Sequence, residues 1–255
     1  MMRKIRDFSL RISAIRAFGL LFLAAGLMGN VLQRSLGVGV VANSQLWQAM
    51  QDSPSTMVLA TLALAFQALE ACAVPVFCFL LVEGAIHTSG YRNYLLRVLL
   101  LAAVCELPYN LAVSGRLIAA DSLNPVFGMA VCLAMLYFFR HYPEKKAGHV
   151  AVKAAAVIGA FLWSNIFRIA GGSCCVLLVT VLWSLRDREN LRILAGILTM
   201  VACSVLSPFY LAGALAFLPL YFYEDERKAK CNRLVNYLSY PVLLLAFWLV
   251  PTVFA

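Results

Sequence analysis

Long apolar runs separated by short polar breaks make up this chain. The first run extends from Ala17 to Leu32. The second, from Met57 to about Ile86, exceeds one straight crossing at a rise of about 1.5 Å per residue, and Pro75 inside it predicts a tilted, broken span. Further runs are read at Tyr94 to Ala112, Pro125 to Phe139, Ala154 to Ala170, Cys174 to Leu185, Ile193 to Leu206, Pro208 to Tyr223 and Leu234 to Phe254. A transmembrane helix needs about 20 mainly apolar residues, and several runs approach or exceed that length. A β-barrel strand would alternate, whereas Val176 to Leu182 is apolar throughout. The pattern therefore predicts an all-α, polytopic transmembrane bundle of about nine spans, eight to ten at the limits, forming a single unit over 1–255. Around Ser207 and Pro208, two full crossings and a re-entrant hairpin would look alike.

Composition agrees: 63% of residues are hydrophobic, 13% are charged and the mean hydropathy is +0.85. A soluble domain is nearer half apolar and a quarter charged, so lipid is the expected solvent. The net charge of +9 changes meaning in that setting, because Lys and Arg mark the loops retained in the cytoplasm rather than a nucleic-acid surface. Placing the N-terminal arm inside leaves only Arg34, Arg116 and Arg168 on the outer side, out of 21 Lys and Arg. The expected topology thus has a cytoplasmic N-terminus and an external C-terminus, with Arg3, Lys4, Arg6, Arg11 and Arg16 forming an anchor rather than a cleaved signal. The eight cysteines match no zinc spacing, so no metal is expected, and buried free thiols are the simplest reading.

Ionisable groups in apolar spans cost about 2.5–3.5 kcal/mol each at mid-helix, which makes each a candidate for function. Glu70 lies in the second run with Gln67, Glu106 in the third, Arg168 with Asn165 in the fifth and the polar Asn30 in the first. Glu70, Glu106, Arg168 and Asn30 are candidate substrate-binding residues; pairing of Glu70 or Glu106 with Arg168 to hold helices together is the structural alternative. The densest polar cluster at a helix end runs from Glu83 through His87 to Arg92 and Arg97. Glu83 and His87 are four apart, on one helical face, and suit acid–base work; Arg92 and Arg97 suit a phosphate, or simple anchoring.

At that cluster the chain resembles the TraX family of bacterial inner-membrane proteins. Pro75 to Thr88 reads PVFCFLLVEGAIHT, similar to the family's P-I-F-x-F-L-L-V-E-G-F-x-H-T. Tyr94 to Arg97 and Glu106 to Leu111 are similar to its continuation, Asn124 to Phe127 to its next segment, and Leu220 to Tyr223 with Tyr237 to Pro241 to its ending. The resemblance implies a multipass acyltransferase that passes an acyl group from acetyl-CoA or another acyl-CoA to a pilin-like peptide or lipid acceptor. In that reading His87, Glu83 or an intramembrane Glu is the base, and Arg97 and Arg92 hold the donor's phosphates. The chain also departs from the family. Gly29-Asn30 stands where the first span usually carries Asp-His, Glu224-Asp225 where Asn-Gly is usual, and Tyr240-Pro241-Val242-Leu243 where Tyr-Pro-x-His is usual. Those losses leave open a non-catalytic binding or scaffold protein of the same fold.

Overall fold

A computed structural model describes residues 12–37, 54–119, 122–144, 146–223 and 233–254. Its elements are α1 (Ile12–Ser35), α2 (Pro54–Ala71), α3 (Ala73–His87), α4 (Tyr91–Ser114), α5 (Pro125–His141), α6 (Ala147–Ile166), α7 (Gly172–Ser184), α8 (Glu189–Cys203), α9 (Tyr210–Gly213), a 3-10 turn (Ala214–Ala216), α10 (Phe217–Tyr221) and α11 (Arg233–Phe254). Four stretches are long and apolar enough to cross a membrane: Ile12–Ser35, Pro54–His87, Tyr91–Ser114 and Ala147–Ile166. Shorter apolar helices occupy Pro125–His141, Gly172–Ser184, Tyr210–Tyr221 and Tyr237–Leu249. No strand is present among the described residues; a lone bridge joins Leu123 to Ile169.

Local chemistry explains the boundaries. The break between α2 and α3 falls at Cys72, three residues before Pro75. A proline ring collides with the carbonyl four residues earlier, here that of Ala71, the last residue of α2. Cys72 closes the break with a backbone bond to the Leu69 carbonyl at 3.0 Å, while its thiol reaches the Ala212 carbonyl at 3.2 Å. Helix α4 ends at Gly115, whose φ of +67° suits a residue without Cβ and whose N–H donates to the Leu111 carbonyl. Asn124 begins α5, accepting from the Val126 N–H at 3.0 Å, with Pro125 in the first turn where an N–H is dispensable.

Helices α3, α5 and α7 form the centre. Val76, Cys78, Val82, Leu133, Leu136, Leu178 and Leu182 are fully buried among them. Around this centre the outer helices turn apolar faces outward. On α4, Leu96, Leu99, Leu100, Val104 and Leu107 form an exposed stripe at helical spacing, and α6 shows Ile158, Leu162, Trp163 and Ile166. Apolar faces this extensive belong against hydrocarbon, and the structure is that of a helical membrane bundle.

Helices α8 to α10 make a hairpin of two short arms. Close approach holds the arms together: a Cβ on Gly196 would enter the Phe217 ring, and one on Gly213 would meet Met200 and the Ala71 carbonyl. The hairpin thus packs onto the break in the α2–α3 rod.

Candidate functional site

Phe79, Glu83 and His87 follow one another at intervals of four along α3 and share a face. Glu83, only 7% exposed, accepts a hydrogen bond through Oε1 from Nη1 of Arg192 at 2.6 Å. Its Oε2 stands 3.3 Å from Nε2 of His87, whose side chain is about half exposed. The guanidinium of Arg192 lies 4.4 Å above the Phe79 ring, which meets Tyr223 edge-on at 5.2 Å between centroids. One carboxylate therefore joins a buried cation on one side to an accessible imidazole on the other. Gly84 permits the neighbouring packing, since a Cβ there would collide with the Tyr94 hydroxyl.

Arg192 is the functional candidate that the sequence reading missed. It stands in the first turn of α8, where the helix dipole opposes a cation, and only 6% of it is exposed. Glu83 supplies the opposing charge that makes this position tenable. Two further donors of Arg192, Nε and Nη2, are buried and have no hydrogen-bond partner among the described residues. Hydropathy assigned Arg192 to a basic loop. Its neighbours Leu191, Ile193 and Leu194 carry the signal of an arginine already inside an apolar run.

Beside this group, the ends of α3, α5, α6 and α7 surround a cavity of about 980 Å³. Arg140, Lys153, Arg186 and Arg188 line it, with Ile86, Phe139 and Trp183 among the apolar walls and Asp187 as its acid. Arg140 donates to the Ala85 carbonyl at 2.7 Å, satisfying an acceptor in the last turn of α3, and stacks 4.9 Å over Tyr91. The Tyr91 hydroxyl in turn donates to the Leu133 carbonyl at 2.5 Å. This end of the bundle is hereafter the basic end.

The remaining candidates lie elsewhere. Arg92 is exposed; Arg97 is half-buried and its Nε donates to the Asn93 carbonyl at 3.0 Å. Neither lines the cavity. Glu70 and Glu106 each lie within electrostatic range of Tyr109 and Tyr240. Glu106 accepts through Oε2 from the Asn124 backbone N–H at 3.2 Å and from its Nδ2 at 2.6 Å. Glu70 packs against Gly26 of α1, and Asn30, further along that helix, is buried. Arg168 falls in the turn beyond α6 rather than within the span, exposed, with φ +48°. No ion pair links it to Glu70 or Glu106. Arg34 caps the end of α4 through the Leu111 and Ala112 carbonyls. No group of three or more His, Cys, Asp or Glu is placed to hold a metal among the described residues, and seven cysteines there are free and buried. The Glu224-Asp225 pair and Cys231 lie outside the described residues.

The family model described as TraX protein matches residues 71–251. No curated protein and no solved structure matches the chain. The matched stretch covers more than half of the sequence and includes Glu83, His87, Glu106 and Arg192 together with the cavity at the basic end. The chain belongs to the TraX family.

Proposed function

We propose that this TraX-family protein is a multipass acyltransferase of the bacterial inner membrane, taking an acyl group from acetyl-CoA or another acyl-CoA and delivering it to a pilin-like peptide or lipid. The observation that carries this reading is the Glu83 carboxylate held between Arg192 and His87 at the basic end. Under the positive-inside rule that end faces the cytoplasm, where acyl-CoA is found. About nine crossings, with the N-terminus inside, complete the topology.

In the reaction, Glu83 orients the imidazole of His87, which takes a proton from the acceptor's amine or hydroxyl. The acceptor's nitrogen or oxygen attacks the thioester carbonyl, the carbon–sulfur bond breaks, and the departing CoA thiolate takes up the proton. Arg192, buried on the other side of Glu83, fixes that carboxylate in position for His87. Arg92 and Arg97 guide the polyanionic donor to the membrane surface.

A second reading, a non-catalytic membrane protein that binds a peptide or lipid partner, is favoured by Gly29-Asn30 and by Val242-Leu243 at the family's histidine positions. Asn30 has no basic nitrogen with which to replace a histidine. Purified protein in nanodiscs, supplied with acetyl-CoA and assayed for thioester loss beside His87→Ala, separates the two. Turnover that depends on His87 supports acyl transfer. Binding without turnover selects the scaffold, and equal turnover by both proteins removes His87 from the chemistry. Accessibility labelling at the His87 end tests the orientation, and labelling from the periplasmic side overturns it.

A further inference from the structure

Basic residues collect on one side of any polytopic membrane protein, so four cations at one end are not by themselves a site. Their arrangement here is different from that of anchors. Anchoring side chains spread around the perimeter towards lipid phosphates, whereas Arg140, Lys153, Arg186 and Arg188 converge on one cavity from the end of α5, the second turn of α6 and the turn after α7. Three of them are also held in place by aromatic rings. Arg140 lies 4.9 Å from the Tyr91 centroid, Lys153 5.9 Å from that of Phe139, and Arg186 4.6 Å from that of Trp183. A backbone carbonyl also holds Arg140, that of Ala85 at 2.7 Å, while Lys153 Nζ lies 3.5 Å from the Pro143 carbonyl. Cations fixed in this way lose less side-chain entropy when an anion arrives, which is the condition for a binding site rather than a solvated surface.

The lining gives the class of ligand. Against four cations stands one acid, Asp187, whose side chain is 87% exposed and 3.8 Å from Arg186. A ligand carrying several negative charges is needed to match that excess. The volume, about 980 Å³, is at the upper end of roughly 300–1,000 Å³ for small-molecule pockets, too large for a lone phosphate. Ile86 forms part of the wall, and His87 is the next residue. A ligand seated by its phosphates therefore lies at the same end of the bundle as the Glu83–His87 pair.

We infer that this cavity, rather than Arg92 and Arg97, binds the phosphate-bearing nucleotide portion of the acyl donor, with Arg140, Lys153, Arg186 and Arg188 as the phosphate-binding residues. The inference rests on the acyl-CoA reading for the donor's identity, but it is tested by binding, independently of turnover.

Full-length protein in zwitterionic nanodiscs is titrated with coenzyme A and, separately, with adenosine 3′,5′-bisphosphate. Both are expected to bind, more weakly at high salt. The double variant Arg186→Gln/Arg188→Gln and the single variant Lys153→Gln are expected to weaken binding of both by roughly 10- to 100-fold. Lys146→Gln, at an exposed lysine outside the cavity, is expected to leave it unchanged. Size-exclusion profiles and thermal midpoints matching the parent's show that the variants are folded. Undiminished binding in the cavity variants, with loss in Arg92→Gln/Arg97→Gln, overturns the cavity and leaves acyl transfer standing. Cavity-dependent binding without thioester turnover overturns acyl transfer and leaves the cavity standing. Failure of both nucleotides to bind overturns the assignment of a nucleotide, and cavity-dependent binding of an anionic phospholipid then added to the nanodiscs identifies a lipid headgroup as the occupant.

Discussion

Two carboxylates inside this bundle are satisfied in opposite ways. Glu83 takes a full positive charge from Arg192, 109 residues away, and keeps its second oxygen for His87. Glu106 takes neutral donors from Asn124, 18 residues away, and has no cation beside it among the described residues. The first arrangement joins α3 to α8 and leaves an imidazole accessible; the second ties α4 to the cap of α5. An ion pair pulled out of water is costly to break, because the remaining charge has nowhere to go. Neutral donors make a smaller contribution and hold local geometry. If the proposed acyl transfer holds, the comparison assigns its chemistry to the basic end and a structural polar contact to Glu106.

Breaking the ion pair on one side gives the largest expected effect. Arg192→Leu leaves Glu83 buried and uncompensated, costing about 3–5 kcal/mol. Thermal unfolding in detergent should show a markedly lower midpoint, with most of the loss recovered in Glu83→Leu/Arg192→Leu. Recovery would mean that the pair acts through charge balance; none would mean that Arg192 acts by packing on Phe79.

His87→Ala is next. It should lower acyl-transfer turnover by at least about 100-fold while leaving the thermal midpoint near the parent's, since the side chain is about half exposed. A comparable loss in Glu106→Gln would erase the distinction drawn between the two carboxylates. Asn124→Ala removes both a helix cap and the donor to Glu106, and should cost about 2 kcal/mol in thermal or denaturant unfolding, with little change in nucleotide binding. The smallest effect belongs to the turn beyond α6. Arg168→Gly should stabilise the protein by up to about 1 kcal/mol, because a left-handed φ of +48° disfavours a residue with a side chain. A large loss on that change would reveal a role for the Arg168 side chain that its exposed position does not indicate.

Helix identity was legible in the pattern, and boundaries were legible where a specific residue marked them. The run expected from Pro125 begins where α5 does, although the helix continues past Phe139 to His141. Elsewhere hydropathy read lipid exposure rather than helix. The fifth run was expected over Ala154 to Ala170, whereas α6 occupies Ala147–Ile166. The helix begins seven residues earlier, taking in His149 and Lys153, and the chain leaves it at Phe167 although Ile169 and Ala170 beyond are apolar. Arg168 was misjudged as a span residue for that reason. At the site, Glu83 and His87 could be paired from sequence because four residues bring side chains onto one helical face. Arg192 could not, since its partner is 109 residues away and hydropathy gives the same score to an anchoring and a buried arginine.

By itself the sequence determined an all-helical membrane protein of the TraX family, the position of the break near Pro75 and the shared face of Glu83 and His87. These follow from local rules: the length of apolar runs, the steric demand of proline and the repeat of the α-helix. Only the tertiary structure decided that Arg192 neutralises Glu83 and that four basic residues converge on one cavity. It also decided that Glu106 is met by Asn124 rather than by Arg168, whose turn pairs through its backbone with the neighbouring Leu123. Such pairings depend on how helices distant in the chain rotate and dock, which the burial of many side chains sets together and no short stretch of sequence records.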